Sequence, residues 1–344
     1  MDLPFFWRET TMCILTIAVP IFNMEWCLEK NLATFDDPRL MGRVEVICLN
    51  NASEDGSKAI VESFTTKRPE IFRLVDRDSR GYGSAINAAL AMAQGKYFRI
   101  VDADDWVNTG DLIKLADVLE SCEADAVMTD YEIVDMQTGD MTPILAKASG
   151  ARYGEVYTDF DILMQTYPMI HGTTYRTELL RDAGFTMQDN TFYVDEEFML
   201  IPMLHIRSVL YLDLDIYRYM VANPGQSSSP GNRARLQDHQ ERVIRRIAGE
   251  YLAEKERDPE NKALPYARYR IMRLLGDRFM VLLIYVEDRK KGRELAKSWE
   301  TYIRDTLPDL WPGVKNKAQI LYAMNGLHIS IPQYDWLKKV LLRK

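Results

Sequence analysis

Cysteine is scarce in this chain and builds no scaffold. Cys13, Cys27, Cys48 and Cys122 are scattered over 344 residues, with neither a metal-type spacing nor a disulfide-like pattern. A reducing compartment is therefore expected. Long apolar runs are missing too. The longest, Phe279 to Val286, is eight residues, whereas a bilayer-spanning helix needs roughly 20. Met1 to Val19 includes Arg8 and Glu9 and lacks a basic start ahead of an apolar core, so it does not read as a secretory signal. No Gly-x-Gly-x-x-Gly follows the first apolar segment, which removes the dinucleotide-binding reading. Internal repeats, low-complexity tracts and sustained heptads are absent as well. The sequence therefore predicts a soluble or peripheral protein of the cytoplasm.

What remains is the composition of an ordinary globular chain, 47% hydrophobic and 27% charged. Its net charge of -8 conceals a division. Residues 1–232 carry 19 basic against 36 acidic side chains, net -17, and residues 233–344 carry 24 against 15, net +9. The first part suits a ligand brought in with a cation, and the second suits something anionic.

Ile14 to Val19 is a β-branched apolar run stopped by Pro20, the pattern of a buried strand. Met24 to Thr34 reads as a helix and Val44 to Leu49 as a second strand. Ser53 and Asp55 are candidate caps for a helix from Gly56 to Lys67. Phe72 to Asp76 is a short strand, and Gly81-Tyr82-Gly83-Ser84 opens a helix that Gly95 closes. Lys96 to Val101 and Ala126 to Thr129 are further strands, with a helix from Asp111 to Ser121 between them. Strands alternating with such helices predict an α/β fold with a mostly parallel sheet. After about residue 135 the alternation fades, although Val209 to Leu214 still reads as a strand. Asn223 to Asn232 is the clearest loop, and the chain beyond it is helical between prolines. A boundary near 232 therefore separates an α/β domain, 1–232, from a basic, mainly helical domain, 233–344.

Asp102-Ala103-Asp104-Asp105 stands at the end of the strand Lys96 to Val101. Three carboxylates within four residues at a strand end are costly unless a divalent cation or a polyhydroxyl ligand is bound there. Strand C-termini are also where ligands bind in open α/β sheets. A solvated acidic turn is the plainer alternative.

In order along the chain stand Val19-Pro20-Ile21-Phe22-Asn23, Asn50-Asn51-Ala52-Ser53-Glu54-Asp55-Gly56-Ser57 and Gly83-Ser84-Ala85-Ile86-Asn87. Gly95-Lys96-Tyr97 and Asp102-Ala103-Asp104-Asp105-Trp106 come next. Together these segments resemble a non-processive bacterial family 2 glycosyltransferase of the GT-A fold. The resemblance implies a nucleotide-diphosphate-sugar donor. Pro20 and Phe22, just past the first strand, match positions that cradle base and ribose. Asn51 matches a position usually held by an aspartate that bonds the base; its carbonyl still accepts from a uracil N–H, and its amide also donates. Asp102 and Asp104 match the Asp-x-Asp acids, with Asp102 on the ribose or a metal-bound water and Asp104 on Mn²⁺ or Mg²⁺. Arg80, with Arg77 as alternative, is a candidate phosphate contact, and Ser84 belongs to a helix start facing the nucleotide. Asp105 is expected to support its neighbours.

For the base that deprotonates the acceptor, Phe192-Tyr193-Val194-Asp195-Glu196-Glu197-Phe198 is the matching segment. Asp195 fits the register, Glu196 is the runner-up, and an acidic first helical turn is the plain alternative. His171 lies where acceptor-side loops occur, as either an acceptor or metal contact or a structural residue. Gly225-Gln226-Ser227-Ser228-Ser229 resembles a flexible segment of some members. The Gln-x-x-Arg-Trp motif of processive members is missing, which implies transfer of one sugar.

The expected reaction is inverting, metal-dependent transfer of a sugar, with a UDP-sugar as donor, to a hydroxyl of an envelope glycan or glycolipid. A non-catalytic nucleotide-sugar-binding subunit and a sugar nucleotidyltransferase are the alternatives. The basic, aromatic end from Tyr334 to Lys344 suits contact with an anionic inner membrane face, or else only a solvated helix. Nucleic acid is not expected as a partner.

Overall fold

The structure, a computed structural model, describes residues 13–79, 81–158, 167–221 and 229–341. They fall into two compact units, Met1–Thr191 with His205–Ala222, and Phe192–Leu204 with Asn223–Lys344. The short segment Phe192–Leu204 groups with the C-terminal helices, so the division is discontinuous in sequence, unlike a single cut at 232.

The first unit is built on strands β1 (Leu15–Ile21), β2 (Val44–Asn51), β3 (Phe72–Arg77), β4 (Tyr97–Ile100), β5 (Trp106–Val107), β6 (Ala126–Asp135), β7 (Met141–Ile144), β8 (Val156–Tyr157), β9 (Thr173–Arg176) and β10 (Val209–Val221). They form one sheet in the order β3-β2-β1-β4-β9-β6-β10-β5, with β7 on β6 and β8 on β10. β3, β2, β1 and β4 run parallel, as the alternation of strands and helices predicts. Past β4 the short β9 enters antiparallel between β4 and β6, so the sheet is mixed there. That insertion comes from residues 170–176, where the alternation had already faded.

β1 is buried along its whole length, as expected of a central strand flanked on both sides. It continues through Pro20 to Ile21, two residues beyond the expected stop. The pairing with β4 ends at Ala18↔Ile100, so on that side Pro20 interrupts no ladder. Helices α1 (Leu28–Ala33), α2 (Ser57–Lys67), α3 (Tyr82–Met92), α4 (Thr109–Ser121) and α5 (Thr177–Asp182) complete the unit. α4 is capped by Asn108, whose side chain accepts from the Asp111 N–H at 3.3 Å.

The second unit contains α6 (Asp195–Leu200), α7 (Pro230–Arg235), α8 (Gln237–Arg257), α9 (Leu264–Met280), α10 (Arg289–Thr306), α11 (Trp311–Gly326) and α12 (Ile331–Leu341). Ile247, Ile271, Leu275, Phe279, Trp299 and Ile303 form its apolar interior. The buried Arg278 guanidinium lies 4.8 Å from the Trp299 ring centroid and donates to Gln237 and Glu241. This guanidinium is therefore tied into helix packing. On α12, Trp336 is 63% exposed beside the exposed Lys338 and Lys339. Among the described residues no helix is long and apolar enough to cross a membrane.

Candidate functional site

At the C-terminal ends of β1 and β2 two loops are stitched together. The Asn23 N–H donates to Ser53 Oγ at 3.1 Å, and Asn23 Oδ1 accepts from the Glu54 N–H at 2.8 Å. Met24 N–H reaches Ser57 Oγ, and Glu25 N–H reaches Asp55 Oδ2. Ser53 and Asp55 thus join two loops, beyond the capping role expected of them. This crossing delays the first helix to Leu28, four residues past the expected start. Asn23 and Ala52 both adopt positive φ, 53° and 56°, which holds the loops in a fixed and mildly strained form. From this edge Phe22 stands 38% exposed, while Pro20 is buried inside β1.

Asn51 and Asn50 face opposite sides of the sheet, as neighbours in a strand must. Arg77 donates to Asn51 Oδ1 at 2.9 Å and to Ser84 Oγ at 3.2 Å. A guanidinium has only donors, so it fixes the Asn51 carbonyl toward itself and turns the amide group elsewhere. Asn50 donates instead to Asp76, which also holds Lys58. Arg77 thus links Asn51 of β2 to Ser84 of α3. Arg80 lies outside the described residues, as do residues 225–228 of the polar loop.

The acidic turn after β4 is held from three sides. Asn31, fully buried on α1, donates to the carbonyls of Asp102 at 3.0 Å and Asp105 at 2.8 Å. The Tyr82 hydroxyl donates to Asp102 Oδ1 at 2.8 Å. The Tyr217 hydroxyl donates to Asp105 Oδ2 at 2.6 Å and accepts from the Asp102 N–H at 3.1 Å. Asp105 also accepts from the Met220 N–H at 2.7 Å. Only 2% exposed, its carboxyl is pushed well above the usual range by burial and by the charges of Asp102 and Asp104. Asp105 is thus an anchor for β10, whereas Asp102 and Asp104 are half-buried. Asp104 makes itself felt at Cys27, whose thiol is pushed up to about 12 by burial and then by Asp104, Asp105 and Asp55.

Behind this turn lies a buried layer. His171, 5% exposed, stacks on Tyr219 with ring centroids 4.0 Å apart and lies 4.9 Å from Tyr217. Burial, then the nearby Arg99 charge, lower its pKa to about 3. Arg99, fully buried, donates to Thr174 Oγ1, Thr129 Oγ1 and the His171 carbonyl. One ligand atom each of Asp102, Asp105 and His171 lie within 4.8 Å of one another. The His171 Nδ1 is buried with no hydrogen-bond partner among the described residues. Carboxylates beside a neutral imidazole are a donor set that fits a divalent cation. Asp104, the expected ligand, is not in that trio, although it shares the turn.

Gly83 opens α3 with no room for a side chain, since a Cβ there would collide with the Gln188 carbonyl. Asn87 completes the contact: it donates to the Met187 carbonyl at 2.9 Å and accepts from the Met187 N–H at 2.8 Å. Asn87→Ala strands both backbone groups, and a loss of about 2 kcal/mol is expected. Denaturant unfolding checks it.

The acidic triplet of α6 sorts itself by partner within the second unit. Glu197, fully buried, pairs with Arg246 at 2.9 Å, and Glu196 pairs with the fully buried Arg270 at 2.8 Å. Arg270 also donates to the Tyr266 hydroxyl. Asp195 is the first helical residue and half-buried. Its carboxyl is raised to about 7 by burial and by the Glu196 charge, partly offset by helix-start N–H groups and Arg270. Glu196 is thus committed to a buried cation. Breaking a buried pair leaves an uncompensated charge, so Arg270→Ala is expected to cost about 3–5 kcal/mol, read from equilibrium unfolding.

Asn31, Tyr217 and the Arg99 layer escaped the sequence reading. All three left a trace. Asn31 sits on the apolar face of α1 between Leu28 and Leu32, and Tyr217 and Tyr219 recur with strand period in β10. Arg99 in an otherwise apolar strand was the third signal.

Residues 16–190, just over half of the chain, match the sequence model described as glycosyl transferase family 2; Asp195 lies beyond that match. A Bacillus subtilis protein named as an uncharacterized glycosyltransferase, EpsJ, is 25% identical over 236 residues, 66% of this chain and 66% of EpsJ. The Staphylococcus aureus poly(ribitol-phosphate) beta-N-acetylglucosaminyltransferase TarS is 24% identical over 224 residues, 63% of this chain and 37% of TarS. The chain thus covers less than two thirds of either relative's length. In three dimensions, S. aureus TarS 1-349 in complex with UDP-GlcNAc matches with a TM-score of 0.58, covering 92% of both chains at 19% identity. The mannosyltransferase PcManGT of Pyrobaculum calidifontis, solved with GDP-Man and Mn²⁺, gives 0.50 at 18% identity, covering 94% of this chain and 82% of that one. These likenesses establish the GT-A fold. On its sequence match, the chain belongs to glycosyltransferase family 2.

Proposed function

We propose that the protein is an inverting glycosyltransferase that moves one sugar from a nucleotide-diphosphate sugar, a UDP-sugar, to a hydroxyl of an envelope glycan or glycolipid. One observation carries this reading. The half-buried Asp102 and Asp104 stand at the end of β4 in a turn fixed by Asn31, Tyr82 and Tyr217. The neighbours that are named with UDP-GlcNAc or GDP-Man and Mn²⁺ support a donor of this class. So does TarS, named for transfer to a poly(ribitol-phosphate), for the envelope acceptor.

In this reading the exposed Phe22, seated by Pro20, flanks the base and ribose. Asn51, with its carbonyl held by Arg77, offers its amide to a uracil carbonyl. Ser84, in the first turn of α3, and Arg80 are the phosphate contacts. Asp102 meets the ribose or a cation-bound water, and Asp104 would hold Mn²⁺ or Mg²⁺. Such a cation, when bound, offsets the charge gathering on the leaving diphosphate. Asp195 removes the acceptor proton; its elevated pKa matches a general base working near neutrality, and Glu196 is left to Arg270. Direct attack by the activated hydroxyl inverts the anomeric centre. Residues 1–232 act as the transferase domain and 233–344 as a helical domain. Trp336, Lys338 and Lys339 suit peripheral contact with an anionic inner membrane face, placing the enzyme on the cytoplasmic side.

The test is release of nucleoside diphosphate from a panel of UDP-, GDP-, CDP- and ADP-sugars with Mn²⁺ and a mixed pool of envelope glycans and glycolipids. Turnover confined to UDP-sugars is the expected result. Release from another nucleotide class would correct the base, and none from any would remove the transfer reading.

A further inference from the structure

We propose that Phe192, His239, Arg233 and Arg235 form an acceptor subsite beside Asp195, and that it selects an acidic acceptor, a sugar or polyol carrying a phosphate or carboxylate. All of these residues belong to the second unit. Phe192 lies three residues ahead of Asp195 and is 47% exposed. Its ring meets that of His239 in a T-shaped contact, with centroids 5.6 Å apart. The His239 Nδ1 takes two donors, the Phe192 N–H at 3.3 Å and the Arg242 guanidinium at 2.9 Å. Both groups can only donate, so Nδ1 is the bare nitrogen and Nε2 carries the proton. Burial, then the Arg242 charge, lower the pKa of this ring, with Arg235 adding to the effect and Asp238 opposing it. His239 is therefore a neutral donor held in one tautomer, and its Nε2–H has no partner among the described residues.

The arginines of this unit divide in two. Arg245, Arg246, Arg270 and Arg278 each hold a glutamate. Arg233 and Arg235, on α7, make no ion pair among the described residues; Arg235 donates to Asn232, and Arg233 lies 5.8 Å from the Tyr285 ring centroid. The charges of both are felt at the Tyr193 hydroxyl together with that of Asp195, and Arg235 is felt at His239 as well. The two uncommitted guanidinium groups thus border the same place as the Phe192 ring and the Asp195 carboxyl. A guanidinium presents a planar fork of donors that matches phosphate or carboxylate. An aromatic face with a few placed polar groups is the usual make-up of a small-molecule site, and here it offers a surface for the apolar side of a sugar or polyol. The inference rests on the transfer reading for calling the ligand an acceptor, but the subsite stands on the chain's own residues.

The experiment titrates the full chain by calorimetry with glucose 6-phosphate, methyl glucuronide, methyl glucoside and inorganic phosphate, and separately with UDP. The Arg233→Gln/Arg235→Gln double variant and Phe192→Ala are measured alongside, and their thermal unfolding verifies that they fold. The expected results are an acidic sugar bound about tenfold or more tightly than methyl glucoside, and loss of that preference in the double variant. Phe192→Ala should weaken the sugars about threefold or more and leave inorganic phosphate unchanged. UDP binding should stay within about twofold of native in both variants. Whichever acidic sugar binds better names the anionic group. Equal affinity for methyl glucoside, no binding of either acidic sugar, or an undiminished preference in the folded double variant overturns the assignment. Inorganic phosphate bound as tightly as glucose 6-phosphate overturns it too, leaving a bare anion site. Loss of UDP binding in the double variant would give the arginines to the donor and likewise overturn it. A chain that prefers acidic sugars yet binds no nucleotide supports the subsite and removes the transfer reading instead.

Discussion

Asp195→Asn is expected to lower sugar transfer by about 10²–10⁴-fold, the usual worth of a positioned general base, while nucleotide binding stays within about twofold of native. Asparagine keeps the size of the side chain and cannot take the proton. Electrostatics separates Asp195 from its neighbour. Glu196 and Arg270 form a 2.8 Å pair on a fully buried guanidinium, which holds the Glu196 carboxylate in a structural contact. Asp195 carries the elevated pKa, about 7, from burial and from the Glu196 charge. A base must be deprotonated, so the native rate should rise with pH through about 7 and level off above it, and the residual rate of Asp195→Asn should lack that inflection.

Stability should move in the opposite direction. The folded chain holds the Asp195 proton more tightly than the unfolded chain, so between the ordinary value near 3.8 and about 7 it binds more protons. This contribution is fully present below that window and is lost as pH rises through about 7. Asp195→Asn should therefore be as stable as native or less so at pH 4, and gain on native at pH 8. Unfolding curves at the two pH values read this directly. Full turnover in the variant would return the α6 acids to a purely structural role.

The second large effect is expected at Asp104. Asp104→Ala should abolish the dependence of nucleotide binding on the cation while leaving the fold intact. A ligand at a hundred times its dissociation constant stabilises a protein by about 2.7 kcal/mol. Nearly all of that gain should vanish in the variant under the Mn²⁺ and nucleotide concentrations that saturate native protein. Without ligand the sign reverses. Asp104 raises the cost of the buried Asp105 charge, so removing it should leave the apo protein equally or more stable. Cys27 offers an independent readout: Asp104 helps to hold its thiol up near 12, so the variant should alkylate faster at pH 9. Unchanged Cys27 reactivity would show that the Asp104 side chain does not act there, and cation-dependent binding in Asp104→Ala would remove it as a ligand.

What the sequence displays and what it conceals differ by range. The Asp102–Asp105 turn, the strand that carries it and the loops after β1 and β2 could be read because each is a local pattern. The parts that fix them come from far along the chain. Tyr217, which bridges Asp102 and Asp105, is separated from them by more than a hundred residues, and Asn31 reaches the same turn from α1. Asn87 belongs to a local motif, yet its partner is Met187. A lone tyrosine, asparagine or histidine gains meaning only once the fold supplies its partner, and His171 is the sharpest case. The first helix begins later than its sequence suggests for a related reason. Ser53 and Asp55 had two uses, and the tertiary one, joining the β1 and β2 loops, delayed the first helix. The antiparallel β9 was hidden because four residues are too short to show a period.

The central claim is that the ends of β1, β2 and β4 form a cation-assisted nucleotide site. Calorimetric titration of the native chain with UDP, CDP, GDP and ADP, each with and without Mn²⁺, tests it most directly. The account predicts saturable binding of UDP that strengthens at least about tenfold when Mn²⁺ is present. Absence of binding by all four nucleotides, with Mn²⁺ at millimolar concentration, would contradict it.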